Sequence, residues 1–142
     1  MTAAIRDRVD PGSCEPRLAV VEHGADVIPF AWEDLSSPTK ASVGLVSLLG
    51  LGTDADFEIT VEGVLGHATA NSKPVAPMLP GLPLSRTQCI FGQEEAEDRE
   101  TSCTAPEMSG AEIIEQPGGH HFDGNYDALA ARILSRLTVS GQ

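Results

Sequence analysis

Two adjacent histidines, His120 and His121, stand in the turn Pro117-Gly118-Gly119-His120-His121-Phe122-Asp123-Gly124 near the end of this 142-residue chain. Imidazole is the side chain whose ordinary pKa lies nearest neutrality, so a histidine on a glycine-rich turn has the chemistry of a general base. In ester hydrolysis such a base works with a nucleophile, a carboxylate that orients the ring, and donors for the oxyanion. His121, directly before the Phe, fits the base best, with His120 as the alternative. Carboxylates are plentiful in the run Glu94 to Glu100. Glu95 has the best spacing behind Gly92, and Glu94 and Asp98 compete with it. The nucleophile belongs on a sharp turn after an earlier strand, and the turn at that place reads Val20-Val21-Glu22-His23-Gly24. It carries the carboxylate of Glu22 and no hydroxyl.

These residues need a scaffold. Leu18 to Val21, Val43 to Leu51 and Thr87 to Phe91 are short continuous apolar runs, as expected of strands buried on both faces. Ala111 to Glu115 reads as the last strand. Asp56 to Val64 alternates, with Phe57, Ile59 and Val61 on one side, which is the pattern of a half-exposed strand. Val27, Ile28, Ala31, Trp32 and Leu35 recur at helical spacing, with Pro29 in the first turns and Ser36-Ser37-Pro38 as a stop. From Tyr126 to Leu137, Leu129, Ile133, Leu134 and Leu137 form an apolar helical stripe. Residues 66 to 84 read as an irregular surface excursion, and residues 1–17 as a loose arm ahead of a domain spanning 18–142. Strands alternating with helices give an α/β class with a mostly parallel sheet.

Composition bounds the function. A formal charge of -12 repels nucleic acid and anionic headgroups, so no nucleic-acid partner is expected. No apolar run approaches the roughly 20 residues that span a bilayer, and Met1 to Arg8 is not a secretory signal, which taken literally leaves the chain in the cytoplasm. Cys89 and Cys103 flank the acidic run and could close it as a disulfide in an oxidising compartment, or remain separate thiols in a reducing one. Cys14 has no assigned role. The histidines lack zinc-ligand spacing and no Walker-type loop follows a strand, so neither metal nor cofactor is implied.

Taken in order, the motifs resemble the α/β-hydrolase domain of the bacterial virulence proteins VirJ and AcvB. The matching pieces are His23-Gly24-Ala25-Asp26-Val27-Ile28-Pro29-Phe30, Val46 to Gly52 with Ala55-Asp56-Phe57-Glu58, Gln88 to Gly92 with its acidic loop and Cys103, and Gly118 to Asp127. The resemblance implies the C-terminal half of an α/β-hydrolase fold and a parent activity of serine-dependent acyl-ester hydrolysis. It implies aminoacylated phosphatidylglycerol as the substrate class, a periplasmic location, and a link to type IV secretion. The family's nucleophile turn has the form Gly-x-Ser-x-Gly. Here Val20 replaces the first Gly and Glu22 the Ser, and only Gly24 of the three persists. The strands that precede this turn in the family would have to come before residue 18.

On this reading Glu22, His23 and Gly24 form the nucleophile and oxyanion turn, His121 or His120 the base, and Glu95 or Asp98 the orienting acid. Glutamate is one methylene longer than the aspartate nucleophiles known on this fold, and its charge would repel the oxyanion. The expectation is therefore a vestigial site. Asp26 and Asp123 read as helix-end residues, with Asn125 a rival cap, and Ser47 as a poor substitute nucleophile. The alternatives are a non-catalytic secretion-associated binding protein, or a chain that completes its sheet with a protein partner.

Overall fold

The computed structural model describes residues 17–21, 24–57 and 71–139. Four parallel strands form the sheet, in the order β1 (Arg17–Val21), β2 (Val43–Leu49), β5 (Thr87–Gly92) and β6 (Glu112–Gln116). A separate antiparallel pair, β3 (Asp54–Ala55) and β4 (Lys73–Pro74), lies in the long connection between β2 and β5. The expected α/β class with a parallel sheet is what the chain forms.

Alternation along β2 and β5 divides the core into two layers. Val46, Leu48, Cys89 and Phe91 point to a cluster with Trp32, Val75, Leu79 and Met108. Leu45, Leu49 and Ile90 point the other way, against Ile114, Phe122, Leu129 and Ile133. The second layer is roofed by α4 (Tyr126–Val139). Its contact stripe runs through Leu129, Ile133 and Leu137, while Leu134, expected in the stripe, is 57% exposed. Residue 134 follows 133 by about 100° around the helix, which carries it off the buried face. The same layer holds a polar chain. Ser47 Oγ donates to Gln88 Oε1 (3.1 Å), Gln88 Nε2 to Glu112 Oε2 (3.0 Å), and Arg136 Nε meets Glu112 at 3.1 Å.

The first layer departs from expectation in three places. The helix after β1 is a 3₁₀ turn, Ala25–Val27, running into α1 (Ile28–Asp34). Ser36-Ser37-Pro38 stops it and at once starts α2 (Ser37–Ser42), because Ser36 Oγ accepts the Thr39 N–H and a proline fits the first turn. The described part of the 66–84 excursion is no mere surface loop, since Val75, Leu79 and Leu82 are buried beside α1. Asp56 and Phe57 are not in a strand, and the remainder of the expected 56–64 strand lies outside the described residues. So does the arm before Arg17. No described helix is long and apolar enough to cross a membrane.

Candidate active site

All four strands run the same way, so the segments that leave them gather at one edge of the sheet. They are the turn after Val21, the Gly50–Gly52 loop, the Gly92 turn and the Pro117–His121 turn. Glu22 and His23 lie outside the described residues; Gly24, next to them, holds φ 110°.

At the end of β5, Gly92 caps α3 (Gln93–Glu97), a helix in what the sequence suggests is a solvated acidic loop. Glu94, Glu97, Asp98 and Glu100 are exposed there, but Glu95 is only 5% exposed. Its side chain folds back in the manner of a capping-box glutamate, and Oε2 accepts the Gly92 N–H at 2.7 Å. Oε1 lies 2.8 Å from His120 Nδ1. The histidine comes from the turn after β6, which is tied to α3 by the Glu94 N–H donating to Gly118 O at 3.1 Å. Close backbone approach makes this possible. A Cβ on Gly92 would run into the carbonyls of Gly118 and Gly119, and one on Gly50, at φ +60°, would sit 2.5 Å from His120 Cε1.

Burial by itself raises the Glu95 pKa, but the His120 hydrogen bond, the Gly92 N–H and the nearby histidine charge outweigh it, and the net shift is downward. Glu95 is therefore ionised at neutral pH and can only accept. His120 must then donate from Nδ1, which leaves Nε2 as the acceptor, the arrangement a general base requires. The His120 side chain is 45% exposed.

Of the two candidate histidines, the structure brings His120 and not His121 to the buried acid. His121 is exposed, its ring edge-to-face with that of His120 at 5.5 Å between centroids. Asp98 ends α3 and is exposed. Asp123 lies against Gly118, and Asn125 is the residue that directly precedes α4. Ser47 is fully buried in the α4 layer, outside this edge. Cys89 and Cys103 are joined as a disulfide, Cα–Cα 5.5 Å, and the closed segment is the one that carries Glu95. A shallow groove of about 340 Å³, lined by Cys103 to Pro106, Met108 to Ala111 and Ile113, shares no residue with the His120–Glu95 pair.

Sequence reasoning gives Asp26 only a helix-end role. Its carboxylate instead reaches across to accept the Gly52 N–H at 2.6 Å, and burial raises its pKa against the lowering effect of that bond. The signal was the pair Gly50 and Gly52 around a buried Leu51, a spacing that leaves two backbone positions open to close approach.

The family description that matches residues 15–140 reads bacterial virulence protein (VirJ). No curated protein and no solved structure matches the chain. The match covers most of the sequence, from just before β1 to the end of α4, and so includes every segment of the site. The protein belongs to the VirJ family of bacterial virulence proteins.

Proposed function

We propose that this chain is an α/β-hydrolase-like protein that keeps the acid–base half of an acyl-ester hydrolase and lacks its hydroxyl nucleophile. The observation that carries the reading is the His120 Nδ1–Glu95 Oε1 contact of 2.8 Å, with Glu95 buried and held by the Gly92 N–H. A pair of this kind at the C-terminal edge of a parallel sheet, following the third and fourth strands in sheet order, is what a serine on the turn after the first strand would need.

With a serine at position 22, His120 Nε2 would take the hydroxyl proton as the oxygen attacks the ester carbonyl. Glu95 would stabilise the imidazolium, and the proton would then pass to the departing alcohol. Water would repeat the sequence on the acyl-enzyme, returning the serine and releasing the acid. The native carboxylate at Glu22 cannot supply that proton and opposes the oxyanion, so the unaltered chain is read as inactive. The parent substrate class would be an aminoacyl ester of phosphatidylglycerol, and the parent setting the periplasm, where the disulfide would persist.

The test is turnover of a short-chain chromogenic ester by the chain as it stands and by Glu22→Ser. A gain of activity in Glu22→Ser that disappears with His120→Ala, and survives His121→Ala, is the expected result. Turnover by the unaltered chain, lost with His120→Ala, would instead make Glu22 the nucleophile. Silence from folded proteins throughout would remove the hydrolase reading in favour of a partner-binding role.

A further inference from the structure

Three loops must agree before His120 can face Glu95, and the one between them contributes no side chain. Gly50-Leu51-Gly52 leaves β2 with backbone groups of all three residues hydrogen-bonded to neighbouring segments. The Gly50 N–H donates to Ile90 O at 2.8 Å. Leu51 O accepts from Ser102 N–H at 3.0 Å and from Thr101 Oγ1 at 3.0 Å, which fastens the loop to the segment closed by the disulfide. Gly52 N–H donates to Asp26 Oδ1 at 2.6 Å. Gly50 in turn lies so close to the imidazole that an added Cβ would stand 2.5 Å from His120 Cε1, and 3.5 Å from Glu95 Oε1. The loop is the wall behind the ring.

Among the described residues, Asp26 ties this wall to the segment after β1, which on the proposed reading carries the nucleophile turn. It sits in the 3₁₀ turn Ala25–Val27, immediately after Gly24, in the segment that follows β1. A half-buried carboxylate costs free energy unless something uses it. A helix-end role would leave it pointing to solvent near its own backbone amides; here it points instead across the sheet edge to another strand's loop.

We propose that Asp26 is a positioning residue for the acid–base pair. By holding the Gly52 amide it sets the Gly50 wall, and the wall keeps His120 on Glu95. This rests on the reading of His120 and Glu95 as an acid–base pair, and the test separates the two. The full-length chain is labelled with ¹⁵N, and the His120 tautomer is read from long-range imidazole correlations at mildly alkaline pH, assigned with His120→Gln. In the parent, Nδ1 carries the proton. Glu95→Gln is expected to lose that preference; if it does not, the pairing itself is wrong and the function proposal falls with it.

Given that loss, Asp26→Ala is expected to convert the His120 signal from a single Nδ1–H form to a mixed population. Asp26→Asn keeps an acceptor for Gly52 and is expected to restore the single form. A purely structural role would lower stability in both without this split. Asp26→Ser, polar but too short to reach Gly52, serves as the second truncation if the alanine variant does not fold, and is expected to give the same mixture. A single Nδ1–H form in a folded Asp26→Ala or Asp26→Ser protein overturns the proposal, as does failure of Asp26→Asn to preserve it. In a Glu22→Ser background that has gained esterase activity, Asp26→Ala should reduce kcat about tenfold or more while KM changes little, since the loss lies in orientation.

Discussion

Replacing Gly50 by alanine should cost more than its size suggests, and most of the excess should belong to His120. Two terms are separable. Gly50 has φ +60°, where an L-residue loses about 1 kcal/mol relative to glycine. The added Cβ would stand 2.5 Å from His120 Cε1 and 2.6 Å from Nδ1, so the ring must swing away by about 1 Å to reach ordinary contact distance. A swing of that size breaks the 2.8 Å bond to Glu95. A charge-assisted hydrogen bond contributes about 1.5–3 kcal/mol when buried, and the half-exposed imidazole reduces this to about 1 kcal/mol. Gly50→Ala should therefore lower stability by about 2 kcal/mol in urea unfolding followed by circular dichroism. In a His120→Ala background there is no ring to displace, and the same substitution should cost only the backbone part, about 1 kcal/mol. The coupling of about 1 kcal/mol is the signature. Equal costs in the two backgrounds would mean that Gly50 does not press on His120, and the wall argument would be refuted.

Reduction of the Cys89–Cys103 bond, 14 residues apart, should destabilise the chain by about 3 kcal/mol through the entropy of the opened loop, read as a lower urea midpoint with reductant; an unchanged midpoint with both thiols titrated as free would contradict this. Because the Glu95 pKa is lowered on folding, its contribution is fully present above the ordinary glutamate range and is lost as pH falls through the depressed folded value. Glu95→Gln should accordingly flatten the fall in stability between about pH 5 and pH 2, and a parallel fall in the two proteins would show that Glu95 contributes nothing there. On α4, Leu129→Ala should cost about 2–4 kcal/mol and Leu134→Ala less than about 0.5 kcal/mol, and equal losses would mean that the helix face is misassigned.

The legible parts of the sequence were those with one dominant physical signal. Strands β2 and β5 are buried on both faces, so a run such as Leu45 to Leu49 or Cys89 to Phe91 needs no pattern beyond being apolar. The α4 stripe has a period that a helix must satisfy, and only Leu134, one step off the stripe, is misplaced by it. Signals with two meanings were less legible. Ser36-Ser37-Pro38 reads as a stop because proline cannot continue a helix, yet the same residues are a good start for the next one. The proline- and glycine-rich excursion suggests surface, but three well-spaced apolar residues, Val75, Leu79 and Leu82, are enough to bury it. Within the acidic run, spacing favours Glu95 but leaves Glu94 and Asp98 in competition, and it is Glu95 that turns inward. Choosing between His120 and His121 needs the direction of a turn in which Gly118, Phe122 and Asp123 all have positive φ, and no periodicity encodes that. The reach of Asp26 to Gly52 is a contact across 26 positions and exists only in the folded chain.

On the proposed reading, an acid–base pair kept without a hydroxyl nucleophile has a physical explanation that does not require activity. Glu95 is at once the partner of His120, the cap on the Gly92 amide at the head of α3, and a carboxylate buried at the sheet edge. Removing it would leave a buried N–H unsatisfied, while removing His120 would leave an ionised carboxylate with one partner fewer; each loss costs on the order of 1–3 kcal/mol. A serine on a nucleophile turn is held in place for catalysis and often under backbone strain, so its replacement need not be opposed by stability. Erosion of an esterase site should then begin at the nucleophile and reach the acid–base pair last. On the proposed reading, Val20 and Glu22 depart from the Gly-x-Ser-x-Gly form while Glu95 and His120 are paired, which is consistent with that argument. On the proposed reading the pair is held by the scaffold's own stability, whereas residue 22 decides whether the scaffold turns over, and the Glu22→Ser gain of function is the experiment in which those two statements come apart.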